Sequence, residues 1–286
     1  MGPVAKWLPD RTRLHLQHGP SDLIIYAEGA RDCAYEAAVE RFQTVIKELS
    51  NELDALRLPV KPKSPNLEGL IARRMVHAAN CFSGFGFITP MAAVAGAIAD
   101  EILKVMKHSA PLKRAYVNNG GDIALFLTKG SSFETLIAGV RGEVFGRVRL
   151  SHVAGIRGIA TSGRHGRSLS LGIADSVTVL AKSAAQADAA ATMVANAVDL
   201  PDHPAITRCR AKDVKDDTDL ENFPVVTSCE DLSEKDKMCA LNYGLVRAEL
   251  FRRSGFIKAA SLHLQGAAIS TARAKDFLSQ EEHFHV

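Results

Sequence analysis

The sequence reads ATSGRHGRSLSLG over residues 160–172, ADSVTVLA over 174–181 and SAAQADAAATMVANAV over 183–198. This succession predicts a loop of mostly small residues, then a strand, then an Ala-rich helix. Because small residues let a ligand approach the backbone closely, we interpret the segment as a nucleotide or flavin site.

The Ala-rich helix carries a start signal and a polar stripe. Ser183, with Gln186 three residues later, has the pattern of a capping box. Asp188, Thr192 and Asn196 follow at intervals of four residues, so their side chains share one face of the helix. Mg²⁺ prefers carboxylate and hydroxyl oxygens. The spacing therefore indicates either a metal site at Asp188 and Thr192 or two side chains that only face water or each other.

Residues 118–127, NNGGDIALFL, predict a tight hairpin. A strand at Ala115–Asn118 runs into Asn119-Gly120, the strongest short-range hairpin signal, and a second strand follows at Ile123–Leu127. We expect Gly121 to take a positive φ or to lie close to a ligand. The segment is either a plain turn or part of a ligand pocket.

Residues 83–100, SGFGFITPMAAVAGAIAD, predict a Gly-containing loop that leads into a capped helix. Thr89 is a favoured N-cap residue, and Pro90 stands at the first helical position. The free amides at such a helix start predict an anion cradle. The full dinucleotide fingerprint is missing here, and no P-loop lysine pattern occurs in the sequence.

The order and spacing of four motifs resemble those of the ApbE-type FAD:protein FMN transferases. The motifs are Asn119-Gly120-Gly121-Asp122, Ala160-Thr161-Ser162-Gly163, Val177-Thr178-Val179 and Ala187-Asp188-Ala189-Ala190-Ala191-Thr192. The chain is more similar to an uncharacterised, UPF-type family of the same ApbE-like superfamily. That resemblance rests on Arg74-Met75, Pro90–Gly96, Asn119–Asp122 and Ser168–Gly172, and it covers roughly residues 11–200.

The resemblance implies a flavin site with a metal. Asp188 and Thr192 match the residues that bind Mg²⁺ beside the FAD pyrophosphate in the transferases. FAD or FMN is the implied cofactor. The implied flavin-lining residues are Asn119, Gly120, Gly121, Asp122, Thr161, Ser162 and Gly163.

One departure from the transferases concerns catalysis. They carry a His-His-x-x-Asp-Pro-x-Thr-Gly segment after the Thr-Ser-Gly loop, whereas this chain has only RHGRSLSLGIAD over residues 164–175. We therefore do not expect FMN transfer. His165 is the one candidate acid or base in this loop, and the alternative is a surface histidine without a role. We interpret His77 as structural, and Ser162 lacks the context of a hydrolase nucleophile.

Composition indicates an ordinary globular protein of 286 residues, 47% hydrophobic and 23% charged, with a formal net charge of +3. Lys and Arg are scattered among acids, so no nucleic-acid partner is expected. No apolar run approaches the length of a membrane span and no leader pattern is visible, so a cytoplasmic location is expected. Five separated cysteines predict free thiols in a reducing compartment: Cys33, Cys81, Cys209, Cys229 and Cys239.

Grouped helices and consecutive strands predict an α+β fold with antiparallel or mixed sheets rather than a doubly wound one. Two Ala-rich helices, each after a Gly-bearing loop, suggest an internal duplication, and the resemblance implies an ApbE-like, T-fold-related architecture of two halves. The other predicted elements are a hairpin at Arg13–His18 and Asp22–Ala27, a helix at Phe42–Leu56, a Pro-rich connector at 58–66, a helix through Met75, and strands at Thr135–Val140 and Val148–His152.

We expect an ApbE-like core over residues 1–200 and a strand-helix-strand extension over 201–270 that packs on this core. The extension should contain a helix at Met238–Phe251, ending near Gly255, and a strand at Ile257–Leu264. Residues 271–286, with His283 and His285, are expected to be a disordered tail.

Three functions are compatible with these residues. The first is a Mg²⁺-dependent enzyme that cleaves or modifies a flavin, another nucleotide or a heterocycle. The second is a non-catalytic protein that binds a flavin or nucleotide. The third, suggested by the T-fold relation, is an enzyme that acts on a purine-like or pterin-like ring at a subunit interface. The partner is in each case a small molecule, and a homo-oligomer is left open.

Overall fold

The computed structural model describes residues 2–61, 67–138, 144–272 and 274–279. The chain divides into two compact units. The first comprises Met1–Ser132, Ser151–Ala160 and Ala181–Ala189, and the second comprises Phe133–Leu150, Thr161–Leu180 and Ala190–Val286. Grouped helices and antiparallel strands make up the described residues, so the predicted α+β class is confirmed.

The described residues of the first unit before residue 132 form five strands and four α-helices. They are β1 (Val4–Trp7), β2 (Arg13–His18), β3 (Ser21–Gly29), α1 (Arg31–Asn51), α2 (Leu53–Leu56), α3 (Leu70–Asn80), α4 (Val94–Ser109), β4 (Leu112–Asn119) and β5 (Asp122–Leu127). β8 (Gly158–Ser162) completes the strands of this unit, which lie in the order β1-β2-β3-β4-β5-β8. The pairs from β1 to β8 are antiparallel.

The core of the first unit lies between this sheet and its helices. α4 packs against α1, β4 and β5. Its sequence repeats small and aliphatic residues at helical spacing, which places them on the sides of the helix that face these neighbours. The buried residues of α4 are Gly96, Ala97, Ile98, Ala99, Glu101, Ile102, Leu103 and Met106.

Most predictions for the first unit are confirmed. The hairpin is β2 and β3, and Met75 lies in α3. The predicted long helix begins earlier, at Arg31, and is interrupted at Glu52 before the short α2. Pro90 opens a 3-10 turn, Pro90–Ala93, that precedes α4, with Thr89 at its N-cap position. Residues 62–66 of the predicted connector lie outside the described residues.

The predicted loop at residues 160–172 is wrong at its start. β8 extends through Ala160, Thr161 and Ser162, and its first residues pair with β5 at Ala124↔Gly158 and Ile123↔Ile159. Ile159 and Ala160 are buried, so this pairing covers apolar surface that an exposed loop would leave in water. The loop therefore begins at Gly163.

The described residues of the second unit form three sets of strands and two α-helices, besides the end of the Ala-rich helix. Its elements are β6 (Ser132–Ala138), β7 (Val144–Ser151), β9 (Ser176–Ala181), β10 (Ile206–Arg210), α6 (Ala211–Val214), β11 (Pro224–Cys229), α7 (Glu234–Arg253), β12 (Ile257–Leu264), β13 (Ala267–Ser270) and β14 (Leu278–Ser279). The strand orders are β9-β12-β13, β10-β11 and β14-β7-β6. α5 (Ala184–Ala197) begins in the first unit and continues into the second.

Predictions for this part are confirmed for the strand before the Ala-rich helix, for that helix itself, for α7 and for β12. Gly255 follows α7 with φ +76°, as expected of a helix end. The strand predicted at Thr135–Val140 corresponds to β6, and residues 139 and 140 lie outside the described residues.

The boundary proposed at residue 200 and the separate extension stay predictions. Within the predicted tail, Leu278–Ser279 pairs with β7. Residues 273 and 280–286, with His283 and His285, lie outside the described residues.

Among the described residues, no single helix is long and apolar enough to cross a bilayer. Leu70–Phe85 and Pro90–Ser109 reach the length and apolar composition of a membrane span only when taken together, and the two segments are bent by 116° relative to each other.

Gly96 lets two helices approach each other at backbone distance. A Cβ atom at Gly96 would overlap the carbonyl group of Ala184 and the amide nitrogen of Ala185, at the start of α5. Both partners are backbone atoms, so they cannot give way by changing a rotamer.

We predict that Gly96→Ala lowers the free energy of unfolding by about 1–3 kcal/mol, because overpacking outweighs the gain in helix propensity. Chemical denaturation followed by circular dichroism measures this loss. Gly84→Ala is the matched control, since a Cβ there meets no atom within 4 Å. Equal stability of the two variants would contradict the close helix approach.

Candidate functional site

Two aspartates cap each other's helices in the first unit. Oδ2 of Asp188 in α5 accepts a hydrogen bond from the amide of Gly96, 3.0 Å away, at the start of α4. Asp100 in α4 accepts hydrogen bonds from the amides of Ala184 (3.1 Å) and Ala185 (3.0 Å), at the start of α5. Each helix therefore supplies the carboxylate that satisfies free amides in the other helix's first turn.

The predicted capping box is present in part, since the amide of Gln186 donates to Oγ of Ser183 over 3.2 Å. The predicted anion cradle at the start of α4 is wrong. The amide of Gly96 donates to Asp188, and that of Ala95 also bonds to this carboxylate. A ligand phosphate would meet a carboxylate there rather than free amides.

The two caps carry little compensating positive charge. Enclosure by protein raises the pKa of Asp188, although the amides of α4 lower it, and the carboxylate of Asp100 raises it further. Burial also raises the pKa of Asp100. Hydrogen bonds from the amides of α5 and the charge of the Arg74 guanidinium lower the pKa of Asp100. Arg74 is shared, because its Nη2 lies 3.1 Å from Oε2 of Glu101. The arrangement therefore favours a proton or a metal cation beside the two aspartates.

The predicted hairpin joins β4 to β5 in the register Asn119↔Asp122. Gly120 and Gly121 have φ values of +64° and +114°, so the positive φ expected at Gly121 is confirmed. The amide of Gly121 donates to Oδ1 of Asn118 over 2.8 Å, which closes the turn. Both glycines are needed for this backbone, whether or not a ligand approaches it.

Asn119 connects the hairpin to the start of α4. Its side chain is buried, and Nδ2 donates to the carbonyl of Ala95 over 3.1 Å. Its Oδ1 accepts from the amide of Asp22 in β3, 3.3 Å away. The predicted residues Asn119 and Asp188 thus both bind the backbone at residues 95–96, one through a carbonyl and the other through amides.

The second unit holds the other predicted flavin residues at the end of β8. Oγ1 of Thr161 lies 2.9 Å from Oγ1 of Thr178 in β9. Ser162 and Gly163 are half-buried. A Cβ atom at Gly163 would overlap the carbonyl of Asp175, so the strand connection requires glycine at this position.

His165 lies beside Asp175. Its Nε2 is 3.1 Å from Oδ1 of Asp175, and the same oxygen accepts from Nε (2.9 Å) and Nη2 (2.8 Å) of Arg164. The amide of Gln265 donates to Oδ2 of this carboxylate. The side chain of His165 is 43% exposed, so it remains open to a ligand while one ring nitrogen is oriented by a carboxylate.

The remaining members of the polar stripe on α5 differ in their contacts. Thr192 is half-buried and lies one turn beyond Asp188 on the same helix. Oδ1 of Asn196 accepts from the amide of Leu171, 3.1 Å away, so Asn196 anchors the loop after Gly163. Among the described residues, no group of three or more His, Cys, Asp and Glu could hold a metal ion.

Two partners of the predicted site were missed, Asp100 and Asp175. Asp100 follows Gly96 by four residues, just as Asp188 follows Ala184 by four residues. This repeated spacing of a small residue and an aspartate is the signal that could have revealed the reciprocal caps.

Two cavities lie elsewhere. One of about 550 Å³ is lined by Ala5, Trp7, Leu14, Asp32, Tyr35, Glu36, Val39, Glu40 and Gln43 of the first unit. The other, of about 330 Å³, is lined by Leu171, Asn196, Asp199, Pro201, Asp202, Arg208, Phe223 and Pro224 of the second unit. Their linings include none of the residues predicted to contact a flavin or a metal.

The chain is similar in sequence to archaeal UPF0280 proteins. The UPF0280 protein of Methanocaldococcus jannaschii is 44% identical over 114 residues, which are 38% of this chain and 45% of that protein. The UPF0280 protein of Methanosphaerula palustris is 33% identical over 191 residues, 65% of this chain and 77% of that protein. The chain spans about half the length of the relatives from M. jannaschii, Methanothrix thermoacetophila and Methanococcus vannielii.

Solved structures share the fold over almost their whole length. The ApbE protein of Thermotoga maritima has a TM-score of 0.56 at 14% identity, with 94% of this chain and 99% of that chain covered. The apo flavinyl transferase ApbE of Pseudomonas stutzeri has a TM-score of 0.54 at 13% identity, with 96% and 97% covered. The expected ApbE-like fold is therefore confirmed.

A family model described as AbpE bacteria matches residues 5–270, which include both units and continue beyond the expected end of the core at residue 200. This match and the shared fold lead to one conclusion: the chain belongs to the AbpE bacteria family and has an ApbE-like fold.

Proposed function

We propose that this protein binds a flavin nucleotide, FAD or FMN, together with Mg²⁺ at the start of α5. The observation that carries the proposal is the pair of capping aspartates, Asp100 and Asp188: the guanidinium of Arg74 acts on Asp100, and it is also paired with Glu101. A divalent cation would offset the negative charge that the protein itself compensates only in part. Two related solved structures are described as flavin or flavinyl transferases, which supports a flavin as the ligand.

Asp188 and Thr192 are the proposed metal ligands. A carboxylate has about four lone-pair sites, so Asp188 can accept the amides of α4 and still offer an oxygen to a cation. A hydroxyl one turn away adds a second hard ligand, and Mg²⁺ usually takes its remaining ligands from water and phosphate oxygens. When bound, the metal would neutralise phosphate charge.

The proposed flavin contacts are the hairpin residues Asn119, Gly120, Gly121 and Asp122 and the strand-end residues Thr161, Ser162 and Gly163. At Gly120 and Gly121 the turn leaves the backbone without side chains, so a flat ring can approach it. In Asn119, both polar groups of the amide already bind the backbone, which fixes the hairpin but leaves this side chain with little capacity for a ligand.

The proposed activity is modification or cleavage of the bound nucleotide or heterocycle without FMN transfer, with His165 as the acid or base. Asp175 would orient the imidazole, but it also binds Arg164 through the same oxygen. The second candidate is a non-catalytic flavin or nucleotide carrier. The third candidate is an enzyme that acts on a purine-like or pterin-like ring. For this candidate, the described residues offer none that we can name as the anchor of the ring.

Product analysis separates these candidates. Incubation with FAD, ATP or a pterin in the presence of Mg²⁺, followed by liquid chromatography and mass spectrometry, would give a new product for an enzyme. A carrier would return the ligand unchanged.

A reducing, cytoplasmic location is also part of the proposal and is supported by five free cysteines.

We predict that Asp188→Asn weakens Mg²⁺-dependent binding of FAD or FMN by at least about tenfold, because the metal loses its only charged protein ligand. Isothermal calorimetry with FMN, FAD, ADP and ATP, with and without Mg²⁺, measures the effect.

Asp100→Asn is the matched control for this variant, because it removes the charge and one accepting oxygen of the other cap but no proposed ligand. Both variants should lower the unfolding temperature; Asp188→Asn should abolish the difference that Mg²⁺ makes, whereas Asp100→Asn should only reduce it. Absence of binding heat in the wild type with Mg²⁺, or unchanged affinity in Asp188→Asn, would show that the metal proposal is wrong.

We further predict that the protein does not transfer FMN from FAD onto a threonine of an acceptor domain. Transfer requires an activated acceptor hydroxyl, and the segment that replaces the His-x-x-Asp-Pro motif offers only His165, with its carboxylate partner shared with Arg164. Intact-protein mass spectrometry after incubation with FAD and Mg²⁺ should reveal no covalent adduct, while an active ApbE-type transferase run in parallel gives one.

Catalytic formation of the adduct would contradict this prediction. If His165→Ala then removed the activity and His108→Ala, at an exposed histidine of α4, did not, the loop at residues 164–175 would be a functional replacement of the motif.

A further inference from the structure

The outer face of α7 carries exposed apolar side chains. The inner face, formed by Ala240, Leu241, Gly244, Ala248 and Phe251, is buried, and the helix packs on β12 and β13. On the opposite face Cys239 is exposed, and the exposed fractions of Tyr243, Val246 and Leu250 are 56%, 70% and 42%. A stripe of this kind along a four-turn stretch of helix is typical of a surface that another helix covers.

The spacing of the stripe is that of a helix-pairing seam. Cys239, Tyr243, Val246 and Leu250 follow one another at intervals of four, three and four residues. Asp236 lies three residues before the first of them, and Arg253 lies three residues after the last. The alternation of threes and fours keeps all six positions on one side of the helix and matches the a and d positions of a heptad. We call these six residues the α7 seam.

The α7 seam is complementary to itself when it is read in the opposite direction. Around a two-fold axis between Gly244 and Leu245, each Tyr243 faces Val246 of a second copy, and each Cys239 faces Leu250 of that copy. The same axis brings Asp236 opposite Arg253 of the second copy at both ends. A parallel pair would instead place like charges opposite each other, which is unfavourable.

We propose that a second copy of this chain docks on the α7 seam with its own α7 antiparallel, forming a two-fold symmetric dimer. A two-fold interface uses the same surface on both copies, as this seam requires. A pair of four-turn helices buries less than the roughly 1,200 Å² of a standard interface, so the dimer should dissociate on dilution. The proposal does not depend on flavin binding or on catalysis.

The antiparallel register can be tested by disulfide formation. In Leu250→Cys, the introduced thiol would face Cys239 of the second copy, so oxidised glutathione should convert most of the protein into a covalent dimer. Each bond forms when two thiols are oxidised while glutathione disulfide is reduced to two glutathione thiols. Non-reducing electrophoresis of the full chain measures the product, at concentrations where the dimer is populated.

Two controls fix the register. Leu250→Cys combined with Cys239→Ser should not cross-link, because the two introduced thiols lie eleven residues apart across the axis, about 16 Å along the helix. Asp236→Cys places a thiol on the same seam but opposite Arg253, so it lies about 21 Å along the helix from native Cys239 of the second copy and farther from its own counterpart, and it should cross-link at least about tenfold less than Leu250→Cys. Cross-linking of all variants alike would overturn the proposed register. A wild-type covalent dimer through Cys239 would indicate the parallel pair and would also overturn it.

Sedimentation velocity over a range of concentrations tests the dimer without any cross-link. The wild type should shift from monomer to dimer as concentration rises, and Val246→Glu should remain monomeric with an unchanged circular dichroism spectrum. Val153→Glu is the matched control, because that valine is 87% exposed and lies outside α7. A wild type that stays monomeric at about 100 μM, or a dimer that Val246→Glu leaves intact, would refute the proposal.

Discussion

The exchange of carboxylates between α4 and α5 is the constraint on which the rest of the first unit depends. A helix start leaves amides without partners, and a local Ser, Thr or Asp usually satisfies them. Here Asp100 and Asp188 satisfy them from the other helix. The two helix starts must therefore lie side by side, which requires the absence of a side chain at Gly96.

The exchange of carboxylates between α4 and α5 also determines which charged groups are available at the proposed site. Asp188 is held by the amides of α4, so its position does not depend on a metal. Because Asp100 lies nearby, the local charge is negative, and the hairpin residue Asn119 binds the adjacent carbonyl of Ala95. The backbone at residues 95–96 thus orients both a carboxylate and the predicted flavin hairpin. A site built this way is preorganised by helix capping rather than by its ligand.

The sequence was sufficient where the signals are local. The Asn119-Gly120 pair predicted the β4–β5 hairpin, and Gly121 was predicted to have a positive φ. The periodicity of apolar residues predicted α4 and α7. Contacts between distant residues were missed. The amide of Ala184 is 84 positions from Asp100, and β8 pairs with β5 at Ile123↔Ile159, a contact that no local pattern reveals.

The loop after β8 is held in place by contacts within the second unit. Asp175 accepts from Arg164 and from the amide of Gln265, and Asn196 holds the amide of Leu171. The carboxylate is thus used mainly to anchor the loop, and His165 meets an oxygen that a guanidinium already occupies. These contacts are the physical reason to expect that the loop holds a ligand, or supports milder acid-base chemistry, rather than activating an acceptor hydroxyl for FMN transfer.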